Sequence, residues 1–140
     1  MITGPIAMLS GKRRGVHTMT GKLYHWLVLG TCLAAAALAV MAWSRIWWFL
    51  PIAAASYVFA FIGYISGKYR WPGWLPIHIG GQGGSYIALV TAVLVVNWQT
   101  VFGAPGLASP FAWVLPTIIG SPVIGAVIAK RQRKSQKPAA

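Results

Sequence analysis

The chain has no aspartate and no glutamate in 140 residues, against 12 lysines and arginines. This absence excludes every mechanism that needs a protein carboxylate: paired-carboxylate hydrolysis, a Ser-His-Asp triad, an EF-hand and a carboxylate-bound di-metal centre. A single cysteine excludes a disulfide within the chain and a cysteine-rich zinc site. A non-catalytic role is therefore favoured over an enzymatic one.

Charged residues of either sign are also scarce. They make up 9% of the chain, whereas a soluble domain has roughly 25%. Hydrophobic residues make up 57%, and the mean hydropathy is +0.65. So few charges cannot cover a water-soluble surface, and so apolar a chain does not have the composition of a disordered one. The composition predicts an integral membrane protein.

The positions of the basic residues favour lipid over nucleic acid as their partner. A nucleic-acid interface would gather them on one folded face with stacking aromatic residues. Here they flank long apolar stretches, which is typical of contact with anionic headgroups at the cytoplasmic face of a membrane. The groups are Lys12, Arg13, Arg14 and Lys22; Lys68 and Arg70; and Lys130, Arg131, Arg133, Lys134 and Lys137, with Arg45 alone.

The apolar stretches predict four membrane-spanning helices, because one span needs about 20 residues. They lie at about 23–43, 46–66, 77–98 and 111–129, with a Gly- and Pro-rich break between the last two. The predicted fold is an all-α integral membrane protein with a four-transmembrane-helix bundle over 23–129. Residues 1–22 form a cytoplasmic or interfacial segment, and residues 130–140 form a basic cytoplasmic tail.

Charge asymmetry predicts the orientation. With four spans, both ends of the chain and the 67–76 loop share one side, which holds every basic residue except Arg45. Positively charged loops stay in the cytoplasm, so both termini are predicted there and the protein in the bacterial inner membrane.

Small residues at four-residue spacing indicate where helices pack, since membrane helices attract one another through close backbone contact. The clearest ridge is on the third helix, and we expect it to meet the first helix. Its residues are Gly80, Gly84, Ala88 and Ala92. Weaker ridges are Thr31, Ala35 and Ala39 on the first helix, Ser56 and Ala60 and then Gly63 and Gly67 on the second, and Ser121, Gly125 and Ala129 on the fourth.

The third helix also carries a polar stripe. His78, Gln82 and Ser85 stand at i, i+4 and i+7 on one face, and Tyr86 borders that face. Lipid cannot satisfy polar groups, so the stripe is expected to face the interior. His25 and His78 are expected at similar depth, within about a turn of the cytoplasmic ends of their helices, and His17 precedes the first helix on the same side.

Two interpretations of the histidines remain open. In the first, His17 or His25 joins His78 as an axial ligand of a b-type haem, whose propionates pair with Lys22, Lys68 or Arg70. In the second, they hydrogen-bond to headgroups, water or neighbouring carbonyls. A bare metal site is disfavoured, because three histidines without carboxylate or thiolate support are a thin ligand set.

Two motifs carry a resemblance to a known family. They are His17-Thr18-Met19-Thr20-Gly21-Lys22-Leu23-Tyr24 and His78-Ile79-Gly80-Gly81-Gln82-Gly83-Gly84-Ser85-Tyr86. The pairing resembles a bacterial family of predicted multi-pass membrane proteins, domain of unknown function 2306. The resemblance covers about residues 3–128 and implies a membrane fold without implying a reaction. It singles out His17, Gly21, Tyr24, His78, Gly80, Ser85 and Tyr86.

Two functions from different classes follow. The first is a non-catalytic membrane module, a subunit or scaffold that packs with a membrane-protein partner or with further copies of itself. The alternative is a haem-binding electron-transfer protein with His17 or His25 and His78 as ligands.

The topology can be tested with fusions. A reporter that is active only in the cytoplasm should be active when it is fused after Ala140 or within the 68–70 loop, and silent when it is fused near Gly106. The charge asymmetry is the reason. The opposite pattern of activity would contradict the predicted orientation.

Overall fold

The computed structural model of the protein describes residues 15–103 and 109–136. Every regular element in these two ranges is a helix: α1 (Val16–Met41), the single turn α2 (Trp43–Ile46), α3 (Phe49–Tyr69), α4 (Trp74–Phe102) and α5 (Pro110–Gln136). The four longer helices are each long and apolar enough to cross a membrane. The predicted all-α class and the number of candidate spans are therefore confirmed. The predictions for residues 1–14 and 137–140 lie outside the described residues.

The helices run past the ends predicted from the sequence. α1 begins at Val16 instead of residue 23, and α5 ends at Gln136 instead of residue 129. α3 is displaced toward the C-terminus because residues 43–46 form the separate turn α2. The predicted bounds followed the runs of residues without charge. The helices extend past Lys22 and Lys130 because lysine is a good helix former.

The four long helices pack in the order α1, α3, α4, α5. Extensive interfaces join α3 to α4, α4 to α5 and α1 to α3. Among the described residues, α1 shares no extensive interface with α4 or with α5. α3 and α4 are thus the central pair, and α1 and α5 are edge helices. The third predicted span is α4 and the first is α1. The expectation that the small ridge of α4 meets α1 is wrong, because α4 packs against α3 instead.

The α3–α4 interface brings two backbones into close approach at Gly63 and Gly81. A Cβ atom added to Gly81 would lie 2.7 Å from the backbone nitrogen of Gly63 and 2.7 Å from the carbonyl oxygen of Phe59. No larger side chain fits at such distances. This contact is the kind that attracts helices in lipid, where burial of apolar surface contributes little.

The predicted packing ridge of Gly80, Gly84, Ala88 and Ala92 is not the face that α4 uses. A Cβ atom on Gly80 would meet nothing within 4 Å, and Ala92 is exposed. Gly84 faces the Phe59 ring at an ordinary 3.7 Å, and Ala88 is half-buried. The buried glycines are Gly81 and Gly83. One residue turns a helix by about 100°, so the true contact face lies beside the predicted one.

α4 and α5 interlock through two glycine–isoleucine pairs. Ile124 of α5 lies over Gly83, and Ile87 of α4 lies over Gly120. Within each helix the glycine and the isoleucine are four residues apart, about one turn. Each helix therefore offers one knob and one hole, which fixes the register of the antiparallel pair.

Residues in the left-handed backbone conformation follow the end of α3 and lie at both ends of α4. Arg70 has a φ of 50°, and its N–H donates to the Ser66 carbonyl at 3.0 Å. Gly73 before α4 has a φ of 80°, and Gly103 after it has a φ of 71°. Glycine adopts such angles without strain, whereas an arginine loses roughly 1 kcal/mol or more. The tight turn places the start of α4 beside the last turns of α3.

The α3–α4 contact can be tested with adjacent glycines. Gly81→Ala should lower the free energy of unfolding in detergent by about 1–3 kcal/mol, because the new methyl group overlaps the α3 backbone. Gly80→Ala should leave stability unchanged or raise it by up to ~1 kcal/mol, since alanine favours the helix and has open space there. Equal effects of the two substitutions would contradict the assigned contact face.

Candidate functional site

The polar stripe on α4 is bonded to the backbone of α3. His78 Nδ1 lies 2.7 Å from the carbonyl oxygen of Gly63, and Gln82 Nε2 donates to the carbonyl oxygen of Ala60 at 3.1 Å. A carbonyl can only accept, so His78 carries its proton on Nδ1 in this arrangement. The lone pair of a neutral His78 is then on Nε2.

Small residues on α3 make those carbonyls reachable. The chain has glycine at 63 and 67 and alanine at 60, spaced by three and four residues along the face toward α4. A Cβ atom on Gly67 would lie 2.6 Å from His78 Nδ1 and 2.8 Å from its Cε1. Gly67 thus leaves the space that the His78 ring occupies, and the ring is held between a glycine and a carbonyl.

Ser85 ends the stripe in a buried hydrogen bond to α1. Its Oγ lies 2.8 Å from the hydroxyl oxygen of Tyr24, and Ser85 itself is fully buried. The Ser85 hydroxyl donates to the Gln82 carbonyl at 2.9 Å. Because that bond uses the only serine proton, the Tyr24 hydroxyl donates to Ser85. Tyr24 is therefore the one described side chain of α1 that hydrogen-bonds to the stripe.

His17 and His78 face each other about two turns closer to the start of α1 and α4 than Tyr24 and Ser85 do. Their ring centroids are 6.3 Å apart, and the ring planes form an angle of 72°. Tyr24 follows His17 by seven residues, as Ser85 follows His78, so α1 and α4 run parallel and in register. We call the end of the molecule where α1 and α4 begin, and where α3 and α5 end, the histidine end.

Between these two levels, α1 carries a glycine and α4 a glutamine. Gly21 lies one turn after His17 on α1, and a Cβ atom added there would meet nothing within 4 Å. Gln82 lies at the corresponding level of α4, but its amide is directed to α3. The two motifs that carry the family resemblance thus face each other at the histidine end, through His17 and His78 and through Tyr24 and Ser85.

His25 lies in a separate aromatic cluster. Its ring stacks on Tyr64 of α3 at 4.5 Å and is near Tyr57 at 5.7 Å and Phe61 at 6.4 Å. It is 8% exposed, and its buried Nδ1 has no hydrogen-bond partner among the described residues. Of the two predicted partners for His78, the structure brings together His17 and not His25.

Tyr86 lies beside the stripe without joining its hydrogen bonds. It is half-buried and packs against the apolar core of the α1–α3 interface, which comprises Tyr24, Val28, Cys32, Ala53 and Ala60. It therefore contributes packing to this site.

Cations surround the histidine end. The Arg70 guanidinium lies over the Trp74 ring at 5.4 Å, and the Trp74 ring is 5.8 Å from the His78 ring. Lys68 Nζ lies over the Tyr69 ring at 5.3 Å, and Lys22 is exposed on α1. Since the chain has no acidic side chain, these cations need an anion from outside it. Within the described ranges, no cluster of three or more metal-ligating side chains forms.

Sequence reasoning missed three participants of the site. The sequence indicates Gly63 and Gly67 only as part of a weak packing ridge. In the structure, the Gly63 carbonyl and the space beside Gly67 position the His78 ring. Tyr24 appeared only within the family motif. The signal that could have found it is the seven-residue interval from His17, which matches that from His78 to Ser85.

The Tyr24–Ser85 bond can be measured by a double-mutant cycle. Tyr24→Phe and Ser85→Ala should each lower the free energy of unfolding, and the two together should show a coupling energy of about 0.5–1.5 kcal/mol. Tyr86→Phe is the matched control and should leave stability within about 0.5 kcal/mol. A coupling energy of zero would contradict this hydrogen bond.

Comparison of the chain with protein-family models, with curated proteins and with solved structures found no match. The resemblance to domain of unknown function 2306 therefore stays a prediction. The function has to be argued from the geometry of the chain itself.

Proposed function

We propose that the protein is a multi-pass module of the bacterial inner membrane, a non-catalytic subunit that packs against a helix of a partner membrane protein. Large apolar side chains project outward from all four long helices. Among the most exposed are Met41, Val96 and Phe111, at 84%, 72% and 73%. Such surfaces are stable when lipid or another apolar helix covers them.

The distribution of charge supports a cytoplasmic location for the histidine end. The described basic residues at this end are Lys22, Lys68, Arg70, Lys130, Arg131 and Arg133. Arg45, between α1 and α3, is the only described cation at the opposite end. Anionic headgroups of the cytoplasmic leaflet attract such a cluster by about 1 kcal/mol per basic residue.

The use of the polar groups supports a structural role for the stripe. Gln82 bonds to the backbone of α3, and Ser85 bonds to Tyr24 and to its own helix. Interhelical hydrogen bonds of this kind hold membrane helices together, typically with about 0.6 kcal/mol each. None of them directs a nucleophile or a general base toward a reacting group.

The single observation that carries the subunit proposal is the open ridge on the edge helix α5. α4 is the one long helix with which α5 forms an extensive interface in the described ranges. Ser121, Gly125 and Ala129 are exposed at four-residue spacing, and a Cβ atom on Gly125 would meet nothing within 4 Å. A ridge of this kind allows close approach of another helix.

Charge favours a different protein over a second copy as that partner. The ridge ends at Lys130 and Arg131, and every copy of this chain carries a net charge of +12. Two copies would bring like charges together, whereas acidic groups beside a partner helix would be attracted. We therefore expect the partner to have acidic residues at the cytoplasmic end of its span.

Site-directed cross-linking in native membranes tests the subunit proposal. In a Cys32→Ser background, Gly125→Cys should cross-link to one other protein, while Ile119→Cys, exposed on another face of α5, should not. Mass spectrometry of the adduct should identify a membrane span flanked by acidic residues. An adduct of twice the mass of the chain would contradict a different partner, and no adduct at either position would contradict the subunit role.

A further inference from the structure

The separation of the His17 and His78 rings matches that of two ligands on opposite sides of one metal. A metal–imidazole bond is about 2.0–2.1 Å and the ring centroid lies roughly 1.1 Å behind the nitrogen, so trans ligands have centroids about 6.3 Å apart. Tetrahedral ligands would have centroids only about 5.2 Å apart. The observed 6.3 Å agrees with the trans arrangement. The 72° angle is compatible with it, because each ring can rotate about the common axis.

His78 is oriented as metal-binding histidines usually are. Its Nδ1–H donates to the Gly63 carbonyl, which leaves the lone pair of Nε2 available, and Gly67 leaves room for the ring. Metal-ligating histidines characteristically donate their other ring N–H to a carbonyl or a carboxylate, which fixes the ring and raises its basicity. The two glycines and the carbonyl of α3 thus act as the outer shell of a His78 ligand.

Among the described residues, α1 and α4 share no extensive interface, and a Cβ atom added to Gly21, one turn after His17, would meet nothing within 4 Å. The Tyr24–Ser85 bond joins the two helices two turns deeper than His17 and His78, about 10.5 Å at a rise of 1.5 Å per residue. A flat group held between the two histidines would be bounded on its deeper side by this bond.

Charge distinguishes a porphyrin from a bare metal ion. A divalent ion would sit between two neutral imidazoles beside Arg70, in a chain without one acidic side chain to balance it. A haem supplies four nitrogen ligands and two propionates, so it needs only two axial histidines from the protein and brings its own negative charge. The cations at the histidine end suit such an anionic cofactor.

We propose that His17 and His78 are the axial ligands of a b-type haem, held between α1 and α4 at the histidine end. Arg70, held over Trp74, is the cation that pairs with a propionate. His25 takes no part, because Tyr64 stacks on its ring and leaves no room for a porphyrin. This site is independent of the partner helix proposed for α5.

The test is a titration of the full chain with ferric haem in nanodiscs of zwitterionic phosphatidylcholine, followed by absorbance before and after reduction with dithionite. The wild-type chain should saturate at one haem per chain with a six-coordinate, low-spin spectrum. His17→Ala and His78→Asn should lose that spectrum and bind at least roughly ten-fold more weakly, about 1.4 kcal/mol. His25→Phe, the matched control, should behave as wild type.

The side-chain amide introduced by His78→Asn can still donate to the Gly63 carbonyl, so this variant keeps the helix contact while it loses the ligand. Circular dichroism checks the fold of each variant. Electron paramagnetic resonance of the wild-type complex gives an independent result, because two imidazole ligands produce a low-spin ferric signal that one ligand does not. Loss of the spectrum in His25→Phe alone, or a high-spin wild-type signal, would overturn the proposal.

Two further arms separate the alternatives. Arg70→Gln should weaken haem binding by roughly ten-fold, because it removes the charge-assisted hydrogen bond between Arg70 and a propionate. Arg45→Gln, at the opposite end of the molecule, removes no such bond and should leave haem binding unchanged. Zn²⁺ and Cu²⁺ titrations should show no saturable binding that depends on His17 and His78. Metal binding of this kind without haem binding would contradict the haem site and indicate a bare-ion site instead. Empty nanodiscs are the control for haem that partitions into the lipid.

Discussion

The contact on which the rest of the structure depends is the near-touching of the α3 and α4 backbones at Gly63 and Gly81. Side chains as short as histidine and glutamine reach a backbone carbonyl on a neighbouring helix only if that helix is very close. Once the two backbones meet, His78 and Gln82 find acceptors on α3 at two successive turns. Ser85, about one turn further along α4, bonds to Tyr24 of α1 instead. A steric feature, the absence of two side chains, thereby decides where His78 and Gln82 are directed.

Much of the fold follows from composition because lipid imposes few solutions. An apolar run of about 20 residues has to satisfy its backbone internally, so four such runs give four helices. The proximity of His17 and His78 also follows, since charge places both on one side of the membrane. Choosing between His17 and His25 was possible from helical geometry. At 100° per residue, seven residues return to nearly the same face, whereas eight turn His25 about 80° away from His17.

The packing face of α4 could not be found in the same way. Its first turns contain Gly80, Gly81, Gly83 and Gly84, so small residues occur on several sides of the helix. The series from Gly80 to Ala92 satisfies the four-residue rule, yet the face in use is the one that α3 and α5 complement with Gly63 and Ile124. Helix packing in lipid is decided by the pair of surfaces, and one sequence segment describes only one of them.

The length of α5 has a mechanical consequence. Its 27 residues extend about 40 Å at 1.5 Å per residue, whereas the hydrocarbon core of a bilayer is about 30 Å thick. The helix continues from its apolar part into the segment that carries Lys130, Arg131 and Arg133. These charges therefore lie on the same helix as Gly120 and Ile124, which contact α4. With the apolar part of α5 in a bilayer, as proposed, a force on these charges at the surface would be transmitted along the same helix toward its contact with α4.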